Sequence, residues 1–196
     1  MTTCAMDVGA HWGEVMLEFA SERPNVDVYA FEPDLHAIWR IATILPNYHA
    51  LALAVDEVDG FAPLYMNRVP GCSSLHHLDR DGVATWPGGF NFAEVARVIV
   101  PTIRLDTFMA RMDIDEVSWL KIDTQGHDLA VLRSLGTRID DVRKITLEVC
   151  MRTIASYEHT PARGELVSLL FAHGFALVRR EEQTCGAEEN WTFEQR

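Results

Sequence analysis

The sequence has few cysteines, and the four that it has are scattered. Cys4, Cys72, Cys150 and Cys185 form no C-x-x-C pair. This spacing suggests neither a zinc knuckle nor a disulfide framework. Cys4 and Cys150 lie in apolar segments, where we expect ordinary buried thiols.

Long apolar runs are also missing. No segment reaches the roughly 18 consecutive apolar residues of a membrane-spanning helix. The first residues do not show the basic and then apolar pattern of a signal peptide. The sequence therefore predicts a cytoplasmic protein with no membrane partner.

Positive charge is scarce. The chain carries 17 Lys and Arg residues against 29 Asp and Glu residues, which gives a net charge of −12 at pH 7. Nucleic-acid binding draws most of its affinity from Lys and Arg. We therefore expect no nucleic-acid partner.

Apolar residues are abundant, at 48% of 196 residues, and no repeat or linker divides the chain. We expect one globular domain over residues 1–196. Predicted strands cover residues 2–8, 26–31, 49–55, 117–123, 142–150 and, more weakly, 175–180. Predicted helices cover residues 13–21, 34–44, 128–135 and 161–173, the last with Thr160 as N-cap, Pro161 as first residue and Gly174 past its end. This alternation predicts an α/β fold with a doubly wound, mostly parallel sheet.

Residues 56–104 interrupt the alternation. Glycines and prolines divide this segment, while residues 62–66 and 98–104 have the pattern of short strands. A long irregular insertion after the third strand is more often a functional cover than packing. We expect a β-hairpin plus a lid over the site.

The most informative motif is the turn after the first strand, residues 7–13, with the sequence Asp-Val-Gly-Ala-His-Trp-Gly. Gly9 allows a sharp turn, and Gly13 lets the next helix pack close to the sheet, with its free N–H groups toward a ligand. Glu32 follows the second strand, close to the offset of about 20 residues at which a Rossmann-like unit places its ribose-binding carboxylate. The segment predicts a nucleoside-binding unit.

The glycine spacing favours one nucleoside cofactor. A dinucleotide fingerprint has the spacing G-x-G-x-x-G, whereas this turn has G-x-x-x-G with His11 and Trp12 inside it. A carboxylate at Asp7 would repel a pyrophosphate but can accept a hydrogen bond from an ammonium group. S-adenosylmethionine has that ammonium group and a ribose diol for Glu32, so the turn predicts S-adenosylmethionine as the cofactor.

Two further acids belong to predicted central strands. Alternation places Lys121 and Asp123 on one face, and Asp123 falls at the carboxyl end of its strand, where ligands bind in open α/β sheets. Glu148 interrupts the next apolar strand. Lys121 and Glu148 either form a structural ion pair across neighbouring strands, or one of them is catalytic.

Seven segments complete the pattern: DVGAHWG, YAFEP, LALAVDEVDG, GCSSL, IRLDTF, KIDTQGHDLAVLRSLG and ITLEV. In order and spacing they resemble the FkbM-type S-adenosylmethionine-dependent methyltransferases, over about residues 4–149. The resemblance implies a Rossmann-like domain whose sheet ends in an antiparallel strand. It also implies methyl transfer, usually to a hydroxyl group of a sugar or another small molecule.

The resemblance also implies the cofactor-binding residues. Asp7, Gly9 and Gly13 would hold the methionine end and Glu32 the ribose, while Ala54 and Val55 would lie near the adenine. The full predicted set is Asp7, Gly9, Ala10, His11, Gly13, Glu32, Pro33, Ala54 and Val55. His11 stands where the family usually has Asn. The pattern starts without the helices that precede the first strand in the family, so we expect a more exposed cofactor or a homo-oligomer whose second copy covers it.

Asp123 falls at the implied reaction centre. An alcohol has a pKa far above neutral, so a base should take its proton during transfer. Asp123 is the first candidate for that base and His127 the second. The predicted substrate contacts are Ser74, Gln125 and Asp128, the last where the family usually has Glu. Because only two clear carboxylates are available as ligands, we predict no metal.

Two other functions stay open. A nicotinamide-dependent Rossmann oxidoreductase would share the first unit, although the missing middle glycine and the absent Tyr-x-x-x-Lys argue against it. A non-catalytic S-adenosylmethionine-binding domain would keep the cofactor pocket but lose the role of Asp123 or block the lid.

Overall fold

Strands and helices alternate in the computed structural model, which describes residues 2–42, 45–87 and 91–196. The strands are β1 (Thr3–Val8), β2 (Asp27–Phe31), β3 (Tyr48–Leu51), β4 (Ala54–Val55), β5 (Gly60–Asn67), β6 (Glu94–Ile103), β7 (Glu116–Ile122), β8 (Lys144–Cys150), β9 (Phe175–Gln183) and β10 (Glu188–Gln195). The α-helices are α1 (Met16–Glu22), α2 (Leu35–Ile41), α3 (Arg80–Ala84), α4 (Leu105–Arg111), α5 (Asp128–Ser134) and α6 (Arg163–Ala172). The end of the helix predicted over 34–44, and residues 88–90 of the predicted insertion, lie outside the described residues.

The main sheet has the strand order β3-β2-β1-β7-β8-β10-β9. Strands β3, β2, β1, β7 and β8 pair in parallel, and β10 runs antiparallel to both of its neighbours. The predicted doubly wound, mostly parallel sheet is therefore confirmed, and so is the antiparallel strand near its end. The sequence patterns do not predict β10, because its acidic and aromatic residues form no apolar run.

The order of strands reverses at β1, which lies between β2 and β7. One face of β1 packs Ala5 with residues of α1 and α2, and the other packs Val8 with residues of α4 and α5. Because the helices that follow β1 and β7 cover opposite faces, a crevice opens between the carboxyl ends of these two strands. The candidate site lies at this reversal.

The insertion forms a second sheet in the order β4-β6-β5. Strands β5 and β6 are an antiparallel hairpin, which confirms the predicted hairpin but with longer strands than 62–66 and 98–104. The strand predicted over 49–55 is split in two. Strand β3 stays in the main sheet, whereas β4 turns away and pairs with β6. This split brings β4 to the edge of the crevice.

The start of α6 differs from the prediction. Its N-cap is Ala162, whose N–H donates to Oε1 of Glu165 (3.2 Å). The hydroxyl of Thr160 is not a cap and donates instead to the backbone oxygen of Tyr157 (2.8 Å). Gly174 has a φ of +79° just past the helix, as predicted.

Gly9→Ala is expected to destabilise the protein by more than about 2 kcal/mol. Gly9 has a φ of +75°, and a Cβ atom there would lie 1.8 Å from the carbonyl oxygen of Asp123. The matched control is Gly164→Ala in α6, where an added Cβ would meet nothing within 4 Å. That change should be neutral or slightly stabilising. Urea denaturation measures both variants, and equal midpoints would contradict the close approach of β1 to the end of β7.

Candidate active site

Asp7 is buried beneath the crevice. The hydroxyl of Tyr48 donates to its Oδ2 (3.0 Å), and Nζ of Lys121 lies 3.3 Å from its Oδ1. Burial raises the pKa of Asp7, and the charge of Lys121 opposes that rise. Burial alone would lower the pKa of Lys121, but the carboxylates of Asp7 and Asp123 outweigh it and raise that pKa. Among the described residues, the ammonium group that Asp7 holds is that of Lys121.

The ion pair between Lys121 and Glu148, one of the two alternatives that the sequence leaves open, is not among the ion pairs of the described residues. In the register of the sheet, Lys121 lies opposite Asp7 on β1 and opposite Thr146 on β8. The carboxylates within its reach are therefore those of Asp7 (3.3 Å) and Asp123 (3.8 Å). Glu148 instead accepts a hydrogen bond from Nε2 of Gln125 (3.2 Å).

Glu32 is fixed at the end of β2 by two backbone N–H groups. The N–H of His11 donates to its Oε2 (2.8 Å), and the N–H of Asp34 donates to its Oε1 (2.7 Å). Burial raises the pKa of Glu32, while these two hydrogen bonds lower it. The imidazole of His11 points elsewhere, to Oε1 of Glu14 (2.8 Å). What position 11 supplies to Glu32 is thus a backbone N–H, from a residue with a φ of +46°.

A cleft of about 270 Å³ opens at the carboxyl ends of β1, β2 and β7. The predicted residues that line it are Gly9, His11, Glu32, Pro33, Ala54, Val55, Ser74, Asp123, Gln125 and His127. Asp7, Ala10, Gly13 and Asp128 are not among its lining residues. Lys121, Gln183 and Asn190 also line it, and sequence reasoning assigns them to no ligand.

Gly13 acts through packing rather than by facing the cleft. A Cβ atom there would lie 2.8 Å from the side chain of Leu17 and 3.0 Å from the hydroxyl oxygen of Tyr48. The first helix is therefore closely packed at this glycine, as the sequence predicts. The same tyrosine also holds Asp7.

Asp123 lies at the end of β7, with its side chain 35% exposed. Nε2 of Gln125 donates to Oδ1 of Asp123 (2.8 Å), and Nζ of Lys121 lies 3.8 Å from its Oδ2. The hydroxyl of Tyr157 donates to Oε1 of Gln125 (2.9 Å). The side-chain nitrogen of Gln125 therefore bridges Asp123 and Glu148. Its side-chain oxygen accepts from Tyr157, which orients the amide group.

His127 has both ring nitrogens occupied. Its Nε2 lies 3.0 Å from Oδ1 of Asp56, and its Nδ1 lies 2.9 Å from Nε2 of His76. The hydrogen bond with His127 lowers the pKa of Asp56. Burial lowers the pKa of His76 to about 4, so that ring is neutral at pH 7. A substrate hydroxyl can therefore reach a ring nitrogen of His127 only by displacing Asp56 or His76.

Ser74 and Asp128 both hold the backbone around Gln125. The hydroxyl of Ser74 donates to the backbone oxygen of Gln125 (2.8 Å). Oδ1 of Asp128 accepts from the N–H and the hydroxyl of Thr124, each at 3.1 Å. Ser74 still lines the cleft, whereas Asp128 caps the turn behind it.

The cleft at the carboxyl ends of the strands agrees with a comparison of the sequence against known protein families. A sequence profile of the methyltransferase FkbM domain matches residues 7–177. This chain belongs to the FkbM methyltransferase family. The matched segment contains all the cleft residues named above except Gln183 and Asn190.

Three similar proteins share between 7% and 27% of their sequence with this family member. The 31-O-demethyl-FK506 methyltransferase FkbM of Streptomyces tacrolimicus is 27% identical over an alignment 203 positions long, which covers 90% of this chain and 74% of that protein. The M. capricolum TrmK structure with S-adenosyl-homocysteine matches at 7% identity and a TM-score of 0.53, over 98% of this chain and 62% of that one. The magnesium protoporphyrin IX methyltransferase of Synechocystis PCC 6803 matches at 9% identity and a TM-score of 0.50, over 98% and 74%. At these identities the two structures show a shared fold alone.

A second cavity of about 200 Å³, here called the acidic chamber, lies on the far side of Gln125 from the cleft. Its walls are formed by Val69, Cys72, Trp86, Phe92, Gln125, Glu148, Ser156, Tyr157, Thr184 and Glu188. Burial, and then the charge of Asp123, raises the pKa of both Glu148 and Glu188, the latter to about 7. Sequence reasoning identifies Glu148 but misses Glu188. No sequence pattern marks Glu188, because its place follows from the pairing of β10 with β8, which sets it across from Cys150, two residues beyond Glu148.

Glu188→Gln is expected to flatten the pH dependence of stability. Because the folded-state pKa of Glu188 is raised from 4.5 to about 7, its stabilising contribution is complete below pH 4.5 and is lost as the pH rises through about 7. The free energy of unfolding of the variant should therefore fall less than that of wild type between about pH 5 and pH 8. Urea titrations at several pH values measure this slope, with the exposed Glu182→Gln as control. Identical slopes for wild type and Glu188→Gln would contradict the raised pKa.

None of the helices in the described part of the chain has the length and apolar character needed to span a membrane. Within the same ranges, no group of three or more His, Cys, Asp or Glu side chains is placed to hold a metal ion.

Proposed function

We propose that this methyltransferase transfers the methyl group of S-adenosylmethionine to a hydroxyl group of a small molecule. One observation carries the proposal: Glu32, after β2, and Asp123, after β7, line the same cleft on either side of the turn that follows β1. A nucleoside bound across that turn would have its ribose at Glu32 and its reactive end toward Asp123.

The residues of the cleft fit such a cofactor. Glu32 is buried and held in place, and each of its oxygens has a further lone pair for a ribose hydroxyl. Strand β4 offers an apolar wall for the adenine. Lys121, fixed by Asp7, lines the cleft and offers a cation to the carboxylate of the methionine end. In this assignment Asp7 is a positioning residue, and the turn at Gly9 leaves room for the cofactor.

Bound S-adenosylmethionine supplies a methyl group on a positively charged sulfur. The chain must align an acceptor oxygen with that methyl group and remove the hydroxyl proton as the bond forms. Asp123 is our first candidate base, because its carboxylate lines the cleft and is partly exposed. His127 is the second candidate, since both of its nitrogens are already in contact with Asp56 and His76.

Calorimetry with S-adenosylmethionine and with NAD tests the cofactor assignment. We expect saturable binding of S-adenosylmethionine and none of NAD. Radiolabelled methyl groups should then appear in members of a panel of sugars and other hydroxyl compounds. Cofactor binding without any transfer would favour a non-catalytic binding domain, and NAD binding would favour an oxidoreductase.

A further inference from the structure

The acidic chamber adjoins the cleft through a single side chain. Gln125 lines both cavities, and its Nε2 contacts Asp123 on the cleft side (2.8 Å) and Glu148 on the chamber side (3.2 Å). A change of the Gln125 rotamer would open a path from Asp123 to Glu148. A molecule whose hydroxyl lies at Asp123 could then extend into the chamber.

The chamber carries acidic groups without a matching cation. Glu148 and Glu188 lie in its wall, and none of the described residues that line it is a lysine or an arginine. Lys121 is paired with Asp7 and Asp123. Arg152 lies behind the wall, where it contacts the Trp86 ring (5.2 Å to the centroid) and donates to Oγ of Ser156 (3.4 Å), and it forms no ion pair with Glu148 or Glu188 among the described residues. The raised pKa values of both glutamates reflect burial and the repulsion between neighbouring carboxylates. A bound cation would remove that repulsion.

Two aromatic rings also line the chamber. Trp86 and Phe92 meet edge to face, with ring centroids 5.4 Å apart and planes at 88°. The Trp86 ring already takes part in one cation–π contact, with Arg152 (5.2 Å to the centroid). A free aromatic face next to carboxylates can hold an ammonium group in the same way. Cys72 and Tyr157 are ordinarily neutral at pH 7, and burial raises the pKa of each further.

The indole nitrogen of Trp86 gives an independent sign of a ligand. Its Nε1 is buried, and within the described part of the chain it has no hydrogen-bond partner. A buried donor without an acceptor is rare in folded proteins and costs stability. An oxygen of a bound molecule in the chamber would supply that acceptor.

We infer that the acidic chamber binds a protonated amine of the methyl acceptor, between the carboxyl groups of Glu148 and Glu188 and the rings of Trp86 and Phe92. The acceptor class is then an amino-bearing hydroxyl compound, such as an amino sugar or an amino alcohol. Its hydroxyl reaches Asp123, and an oxygen of the same molecule accepts from Trp86. This inference rests on the proposed function, since it assigns the acceptor of that same site.

The test compares matched probes on protein saturated with S-adenosylhomocysteine. Glucosamine is titrated against glucose, and ethanolamine against ethylene glycol, by calorimetry. Because a hydrogen bond to a charged group contributes about 1.5–3 kcal/mol, we expect each amine to bind at least about tenfold more tightly than its neutral partner. Glu188→Gln and Glu148→Gln should each lose most of that preference.

Glu182→Gln is the matched control, because it removes the same charge from an exposed position of β9 outside the chamber. It should keep the full preference for amines. Equal binding of amines and neutral probes would overturn the inference, and so would an unchanged preference for amines in Glu188→Gln. If S-adenosylhomocysteine still binds in that case, the proposed function stands. If wild-type protein did not bind S-adenosylhomocysteine at all, both would be overturned.

Discussion

Asp123→Asn is expected to lower the rate of methyl transfer by about 100-fold or more, because it removes the proposed base. An asparagine keeps an oxygen that can accept the hydrogen bond from Gln125 (2.8 Å), so the local structure should be retained. S-adenosylmethionine affinity should stay within about threefold of wild type, since the proposed cofactor contacts are made by other residues. Single-turnover transfer rates and calorimetry separate the two effects.

Two variants serve as comparisons for Asp123→Asn. Asp113→Asn removes the same charge from an exposed position with a φ of +50°, where asparagine fits well, and should change neither quantity. His127→Gln should reduce transfer less than Asp123→Asn, because His127 is already bonded at both nitrogens. Full activity in Asp123→Asn would show that Asp123 is not the base. A larger loss in His127→Gln would assign that role to the histidine.

Glu32→Ala is expected to weaken S-adenosylmethionine binding by about 10- to 100-fold, with little effect on the transfer rate at saturating cofactor. The variant loses the charged acceptor proposed for the ribose hydroxyls. It also leaves the N–H groups of His11 and Asp34 without their acceptor, so the turn that follows β1 should loosen. Calorimetry measures the affinity. Thermal unfolding with and without cofactor measures the stability that is lost when the turn loosens.

Glu18→Ala is the control for Glu32→Ala. Glu18 is an exposed acid on α1 that does not line the cleft. Its replacement should leave cofactor affinity unchanged. Equal affinities in Glu32→Ala and wild type would show that the ribose is held elsewhere.

Local patterns predict the parts of this fold that depend on local chemistry. Gly9 and Gly13 predict a turn because only a residue without a Cβ fits there, and the structure has positive φ at both. Apolar runs predict β1, β2, β7 and β8 because buried parallel strands are apolar on both faces. The carboxyl-end positions of Glu32 and Asp123 then follow from the parallel order of the strands.

The remaining features depend on contacts between distant segments. Lys121 pairs with Asp7 rather than Glu148 because β1 lies beside β7, and the sequence of one strand does not state its register with another. His76 and Asp56 reach His127 only through the fold of the insertion. Glu188 becomes part of the acidic chamber because β10 inserts beside β8. No local pattern carries that information.

A crystal structure with S-adenosylhomocysteine tests the central claim most directly. It should show the ribose hydroxyls within hydrogen-bond distance of the Glu32 carboxylate, the adenine against β4, and the sulfur on the Asp123 side of the cleft. A ligand bound outside the cleft, or bound with its ribose away from Glu32, would contradict the account.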